Sequence, residues 1–199
     1  LEECAALGTC TERVASDADV PAAVARLVER LSAPGKGAGA SGQPIEGAVA
    51  LPGDTGDERI AGLSAAIAST LAGIGREVVR WDADAPETSR AAVAAAGVGV
   101  TFAEAAVAET GTVAQPCSAQ SGRALSLLPA AHIAVVRARD VVARLTQLAD
   151  ELERRVDDGR GLPSQLALIS GPSNTADIEL VRVLGVHGPV RCAVVLVDD

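Results

Sequence analysis

From Gly47 onward, short apolar runs alternate with longer stretches whose apolar residues recur every three or four positions. Ala48–Leu51, Glu77–Trp81, Val98–Thr101, Ile133–Val136, Leu166–Ile169 and Arg191–Val197 read as strands. Glu58–Leu71, Thr88–Ala95, Asp140–Val156 and Ala176–Leu184 read as helices, the long 140–156 helix keeping its charges on an outer face. Repeated β–α units with short connections predict an α/β fold, a three-layer αβα sandwich around a mostly parallel sheet. One segment breaks the alternation. Val107–Val113 has short β-prone pieces around Thr110-Gly111 and reads as an inserted β-hairpin, a place to look for function.

Ahead of this region, Asp19 and Pro21 open a helix carrying Val24, Leu27, Val28 and Leu31, which Pro34-Gly35 ends. The following stretch, Gly35 to Pro44, is too rich in glycine to order itself and reads as a linker. The expected division is therefore an N-terminal helical appendage with its linker over 1–44, and the α/β domain over 45–199.

Composition narrows the chemistry. Hydrophobic residues make up 48% of the 199, yet Trp81 and Phe102 are the only aromatics and there is no Met or Tyr. The core must be built from Val, Leu, Ile and Ala, which suits strands buried between helices. A net charge of −9, without a cluster of Lys and Arg, speaks against a nucleic-acid partner. No apolar stretch reaches the roughly 20 residues of a membrane helix. The start, Leu1-Glu2-Glu3-Cys4, has no signal-peptide pattern, so a cytoplasmic location is expected. Cys4, Cys10, Cys117 and Cys192 lack C-x-x-C spacing, so no zinc or iron–sulfur site is expected and the thiols read as reduced.

Three segments follow the carboxyl ends of predicted parallel strands: Pro52–Gly56, the Glu104–Thr112 region and Gly171–Thr175. In an open α/β sheet this edge binds ligands, and the free N–H groups of a helix start suit an anion. Gly171, Ser173, Asn174 and Thr175 are thus candidate ligand-binding residues. The last three equally suit helix capping, with Asn174 and Asp177 at capping spacing. Asp177 and Glu179 favour the helix dipole but repel an anion, so Asp177 reads as structural. Glu109 is a candidate nucleophile or base, with Thr110, Gly111 and Thr112 beside it as ligand contacts; a solvated hairpin glutamate is the simpler reading. His132 and His187 each precede a strand. They are expected at the opposite sheet edge from Ser173 and Glu109, which disfavours a triad and favours packing or partner contact. No G-x-G-x-x-G follows the first strand, and Gly53-Asp54-Thr55-Gly56 is not a Walker loop, so no cofactor is expected. Arg123, in the polar loop Ser118–Arg123, could meet a carboxylate or phosphate, although a surface arginine is commoner.

Read together, Ala108-Glu109-Thr110-Gly111-Thr112, Gly122 to Pro129, His132-Ile133 and Ser170 to Pro189 resemble the LutC/YkgG family, lactate-utilisation protein C, built on the LUD domain. The likeness covers roughly Gly97 to Val197. The loop Ala114–Ser121 departs from the Gly/Pro-rich sequence of that family. The resemblance implies a NagB/RpiA/CoA-transferase-like fold and action in L-lactate oxidation to pyruvate beside two iron–sulfur partners, LutA and LutB. It is compatible with an accessory subunit that binds a small carboxylate or phosphate, or docks on those partners. The alternative is a CoA-transferase-like or sugar-phosphate-isomerase-like enzyme using Glu109, because Glu109-Thr110-Gly111 resembles the Glu-x-Gly element of CoA transferases.

Overall fold

Apolar and β-branched runs that cannot be solvated on either face take the centre of the molecule. The computed structural model describes residues 1–34, 43–159, 161–175 and 183–198. The chain begins with α1 (Glu2–Ala6), β1 (Cys10–Val14) and α2 (Val20–Ser32), followed by β2 (Val49–Leu51), α3 (Glu58–Gly73), β3 (Val78–Arg80), α4 (Pro86–Ala95) and β4 (Val98–Phe102). Next come β5 (Ala105–Val107), β6 (Thr112–Cys117), the single turn α5 (Ala124–Leu127), β7 (Ala131–Arg137), β8 (Val141–Val142) and α6 (Leu145–Asp157). The last elements are β9 (Gln165–Ile169), β10 (Asn174–Thr175), β11 (Val183–Leu184) and β12 (Arg191–Val197).

Six strands form a parallel sheet in the order β1-β12-β7-β4-β2-β3. On one face, α2 and α3 place Val24, Leu27, Leu31, Ile67 and Leu71 against Val49, Val100, Ile133 and Val195. Side chains of this kind each contribute about 1.5–3 kcal/mol when fully buried. The other face is shared. Val93 of α4 and Leu125 of α5 cover Ala50. Beyond them a second sheet, ordered β8-β5-β6-β9, brings Val113 and Ile169 over Ala134, Val136 and Val194, with Cys4 of α1 alongside. Helix α6 closes the outer face of that sheet through Leu148 and Leu152. Gly99 permits the closest of these approaches. A Cβ there would lie 1.9 Å from the Leu125 carbonyl oxygen, so α5 rests directly on the backbone of β4.

The α/β class and the mostly parallel sheet are as the hydrophobic pattern predicts, and β5 and β6 form the expected hairpin, turning at Gly111 with φ +57°. Four details differ. The N-terminal segment, expected as a helical appendage, supplies the edge strand β1. Its mixed sequence Cys-Thr-Glu-Arg-Val fits there because Val14 and Cys10 pack on the core, while Glu12 pairs with Arg26 at 2.6 Å and Arg13 with Asp198 at 2.8 Å. Helix α6 starts at Leu145 rather than Asp140, since Arg137 holds Asp140 at 2.9 Å and the next two residues pair with β5. The run 166–169 is a strand, but it pairs antiparallel with β6 in the second sheet instead of joining the parallel one. A helix over 176–184 is not formed at its end, where Val183 and Leu184 pair with Thr175 and Asn174; residues 176–182, Asp177 among them, lie outside the described residues, as does the linker over 35–42. Among the described residues no helix is long and apolar enough to cross a membrane.

Candidate functional site

In the parallel sheet the chain leaves β2 for β3 on one side and returns to β4 on the other, so the carboxyl ends of β2 and β4 flank a topological switch point. The loop after β2 is held locally. Asp54 Oδ1 accepts the Gly56 N–H at 2.9 Å, and Asp57 caps α3 by accepting the Ile60 N–H at 2.9 Å. Over β2 and β3 the crevice is filled by the 118–122 loop. The Gly53 N–H donates to the Gln120 carbonyl at 2.8 Å, and Trp81 Nε1 donates to the Ala119 carbonyl at 2.7 Å. Gly122 packs on the indole, where a Cβ would sit 3.1–3.4 Å from ring carbons.

Beyond β4 the edge is open. A cleft of about 960 Å³ runs between Phe102 and Ala103, the first turn of α3, the 137–140 turn after β7, and α6. Arginines 59, 137, 139, 154 and 155 line it. Four are engaged with carboxylates: Arg59 bidentately with Asp17 at 2.5 and 2.7 Å, Arg137 with Asp140 at 2.9 Å, Arg154 with Glu151, and Arg155 with Glu104. Arg139 is exposed and has no ionic or hydrogen-bond partner among the described residues. The cleft thus combines ion pairs at its walls with the carboxylate of Asp57, which caps α3, and with two exposed groups unpaired among the described residues, the Asp150 carboxylate and the Arg139 guanidinium, the latter a donor fork for a carboxylate or phosphate.

The residues singled out from the sequence fall into three places. In the hairpin, Glu109 is exposed and its Oε1 accepts the Leu145 N–H at 2.9 Å, so its carboxylate caps the first turn of α6. Thr110, Thr112 and Ser170 form a chain of hydroxyls at 2.7 and 2.6 Å, which ties the hairpin to the end of β9. Gly111 leaves room for α1, since a Cβ would stand 2.9 Å from the Cys4 nitrogen.

The second group lies at the amino ends of β7 and β12. The Ser173 N–H donates to the Pro189 carbonyl at 2.9 Å, Gly185 donates to the Ser173 carbonyl at 3.1 Å, and the His187 N–H reaches Ser173 Oγ at 3.3 Å. Ser173 and His187 are therefore neighbours, not residues on opposite edges. The expectation failed because β9 belongs to the second sheet, so the chain after it does not emerge at the carboxyl edge of the parallel one. Gly171, with φ +78°, packs against Leu7 and Thr9, and Asn174 is exposed.

The third place is the interior. His132, the second residue of β7, is 1% exposed and its Nε2 lies 2.8 Å from Thr101 Oγ1. Burial lowers its pKa from 6.5 to about 4, so it is held neutral. Its cross-strand partner Cys192 is buried too, and burial pushes that thiol up to about 12, with Cys10 adding to the rise. Both shifts oppose a thiolate–imidazolium pair and mark packing. All four cysteines are free thiols. Among the described residues no group of His, Cys, Asp and Glu is placed to hold a metal ion.

A family model described as the LUD domain matches residues 1–197. The chain belongs to the LUD-domain family. Lactate utilization protein C of Bacillus subtilis (strain 168) is 41% identical over 153 residues, 77% of this chain and 63% of the relative. Lactate utilization protein C of Exiguobacterium sp. is 45% identical over 119 residues, 60% and 52% of the two chains. YkgG of Escherichia coli (strain K12) is 40% identical over 121 residues, 61% and 52% of the two. The LUD-domain chain thus spans about half to two thirds of the length of these curated relatives. It also shares its fold with the crystal structure of a DUF162 family protein from Deinococcus radiodurans, with a TM-score of 0.62 and 25% identity over 98% of this chain and 92% of that one.

Sequence reasoning missed the cleft arginines of the LUD domain. Each reads as an ordinary surface residue, because nothing in local spacing shows that 59, 137, 139, 154 and 155 converge. The one usable signal was the position of Arg137 and Arg139 immediately after a predicted strand.

Proposed function

We propose that this LUD-domain protein acts in lactate utilisation as an accessory subunit without iron–sulfur clusters, serving beside the iron–sulfur proteins LutA and LutB. Its ligand, on this reading, is a small carboxylate or phosphate bound in the cleft at the carboxyl edge of the parallel sheet. The relatives named lactate utilization protein C support the pathway. The observation that carries the binding site is Arg139, which has no counter-ion among the described residues while the four other cleft arginines are paired. The hydroxyls of Thr110, Thr112 and Ser170 satisfy one another, which suits a structural tie better than a ligand cradle. Glu109 spends its carboxylate on a helix amide, and this favours an accessory role over a covalent transferase.

Calorimetric titration of the purified protein with L-lactate, pyruvate and inorganic phosphate tests the site. One of these anions is expected to bind, and Arg139→Ala to weaken it by at least roughly tenfold, the worth of a charge-assisted hydrogen bond. Equal binding by both proteins would remove the cleft from consideration. The pathway is tested separately by deleting the gene and measuring growth on L-lactate with and without each iron–sulfur protein. Normal growth of a strain lacking any paralogue would sink it.

A further inference from the structure

Among the described residues, four strands stand at the edges of the two larger sheets: β1 and β3 in the parallel sheet, β8 and β9 in the mixed one. An edge exposes unpaired N–H and C=O groups and invites another chain unless it is short, charged or covered. Three are protected. Edge strand β1 carries the ion-paired Glu12 and Arg13, β3 has three residues ending in Arg80, and β8 has two. Strand β9 is different. It has five residues without charge or proline, makes no backbone hydrogen bond to a described residue outside β6, and leaves Leu168 51% exposed.

We propose that β9 is a self-association edge, pairing antiparallel with β9 of a second copy about a twofold axis through Ala167. The sequence around it, Ser164-Gln165-Leu166-Ala167-Leu168-Ile169-Ser170, is nearly the same in both directions. Antiparallel pairing centred on Ala167 sets alanine against alanine, Leu166 against Leu168 of the second copy twice over, Gln165 against Ile169, and serine against serine at the ends. The twofold axis makes the pairing isologous, and the near-symmetry of the segment keeps its centre apolar on both sides. It joins two four-stranded sheets into one of eight and covers Leu168 with a cross-strand apolar partner. Each copy carries a net charge of −9, and this uncharged strand lets two copies meet without opposing like charges in the ladder. An arbitrary partner strand would have no reason to match the symmetry of this segment. A second copy matches it by construction.

Sedimentation equilibrium of the full chain over roughly 1–500 µM is the direct test, a range chosen for an interface below the standard size. The mass is expected to rise from 19.9 kDa toward twice that value. Leu168→Lys should shift the midpoint at least tenfold to higher concentration. Ala167→Cys should form an intermolecular disulfide under mild oxidation, because the two residues face each other at about 4.5–5.5 Å. Leu168→Cys should not, since two steps along the strand separate its copies, and the wild-type protein with its native cysteines is the control. A wild-type monomer across the whole range overturns the proposal. So does a dimer that neither responds to Leu168→Lys nor cross-links through Ala167→Cys.

Discussion

The parallel sheet buries Val49, Val100, Ile133 and Val195 completely, whereas β9 in the mixed sheet leaves Leu168 half in solvent. The first sheet is covered on both faces and its two edges are short or ion-paired. The second has one face on the first sheet, α6 on the other, and an edge that no described residue pairs with. The difference separates two jobs. The parallel sheet fixes geometry, and the mixed sheet supplies the surfaces from which a cleft wall and an association edge are made.

The contrast can be broken by substitution, beginning with glycine. Gly99→Ala, on the parallel sheet, drives a Cβ into the Leu125 carbonyl and is expected to cost about 4 kcal/mol or more in urea unfolding. Gly111→Ala, on the mixed sheet, meets the backbone of α1 at a positive φ and should cost less, about 1–2 kcal/mol, because a short helix can shift away. Equal costs would erase the distinction. Core truncation gives the next largest effect. Ile133→Ala should lose about 2–5 kcal/mol, and Leu168→Ala less than about 1 kcal/mol in the monomer.

The pH dependence comes from His132 of the parallel sheet. Its pKa is about 4 when folded against 6.5 when unfolded, so the unfolded chain takes up a proton first. Stability is complete above 6.5, falls by about 3 kcal/mol as the pH drops from 6.5 to 4, and then levels off. In His132→Gln that portion of the slope should vanish when denaturation midpoints are compared across the window. An unchanged slope would show that His132 does not stay neutral in the folded chain. The smallest effect is set for Glu109→Gln. The amide oxygen still accepts from Leu145, so only the charge at the start of α6 is lost, at about 1 kcal/mol or less in thermal melts. Growth on lactate is expected to survive this change; its loss would return Glu109 to the catalytic role that its capping position disfavours.

Most of the parallel sheet was legible because its strands are continuous apolar runs, as strands buried on both faces must be. Strand β1 was not, since Glu12 and Arg13 interrupt its pattern and are stabilised by partners distant in sequence. The run 166–169 was recognised as a strand and assigned to the wrong sheet, because an apolar run carries no record of which neighbour it pairs with. That single assignment displaced Ser173 to the wrong edge and parted it from His187. The hairpin around Gly111 was readable from its turn residues. The cleft arginines were not, because their convergence depends on α3, α6 and the turn after β7 meeting in space.

Trp81 gives the molecule an optical address. With no tyrosine and only one phenylalanine besides, essentially all near-ultraviolet absorption and emission comes from one indole. That indole is hydrogen-bonded to the 118–122 loop and stacked on Gly122, at the same carboxyl edge as the arginine cleft. A shift in its emission therefore reports on this edge alone, without a label, whenever an anion or a partner protein disturbs the loop.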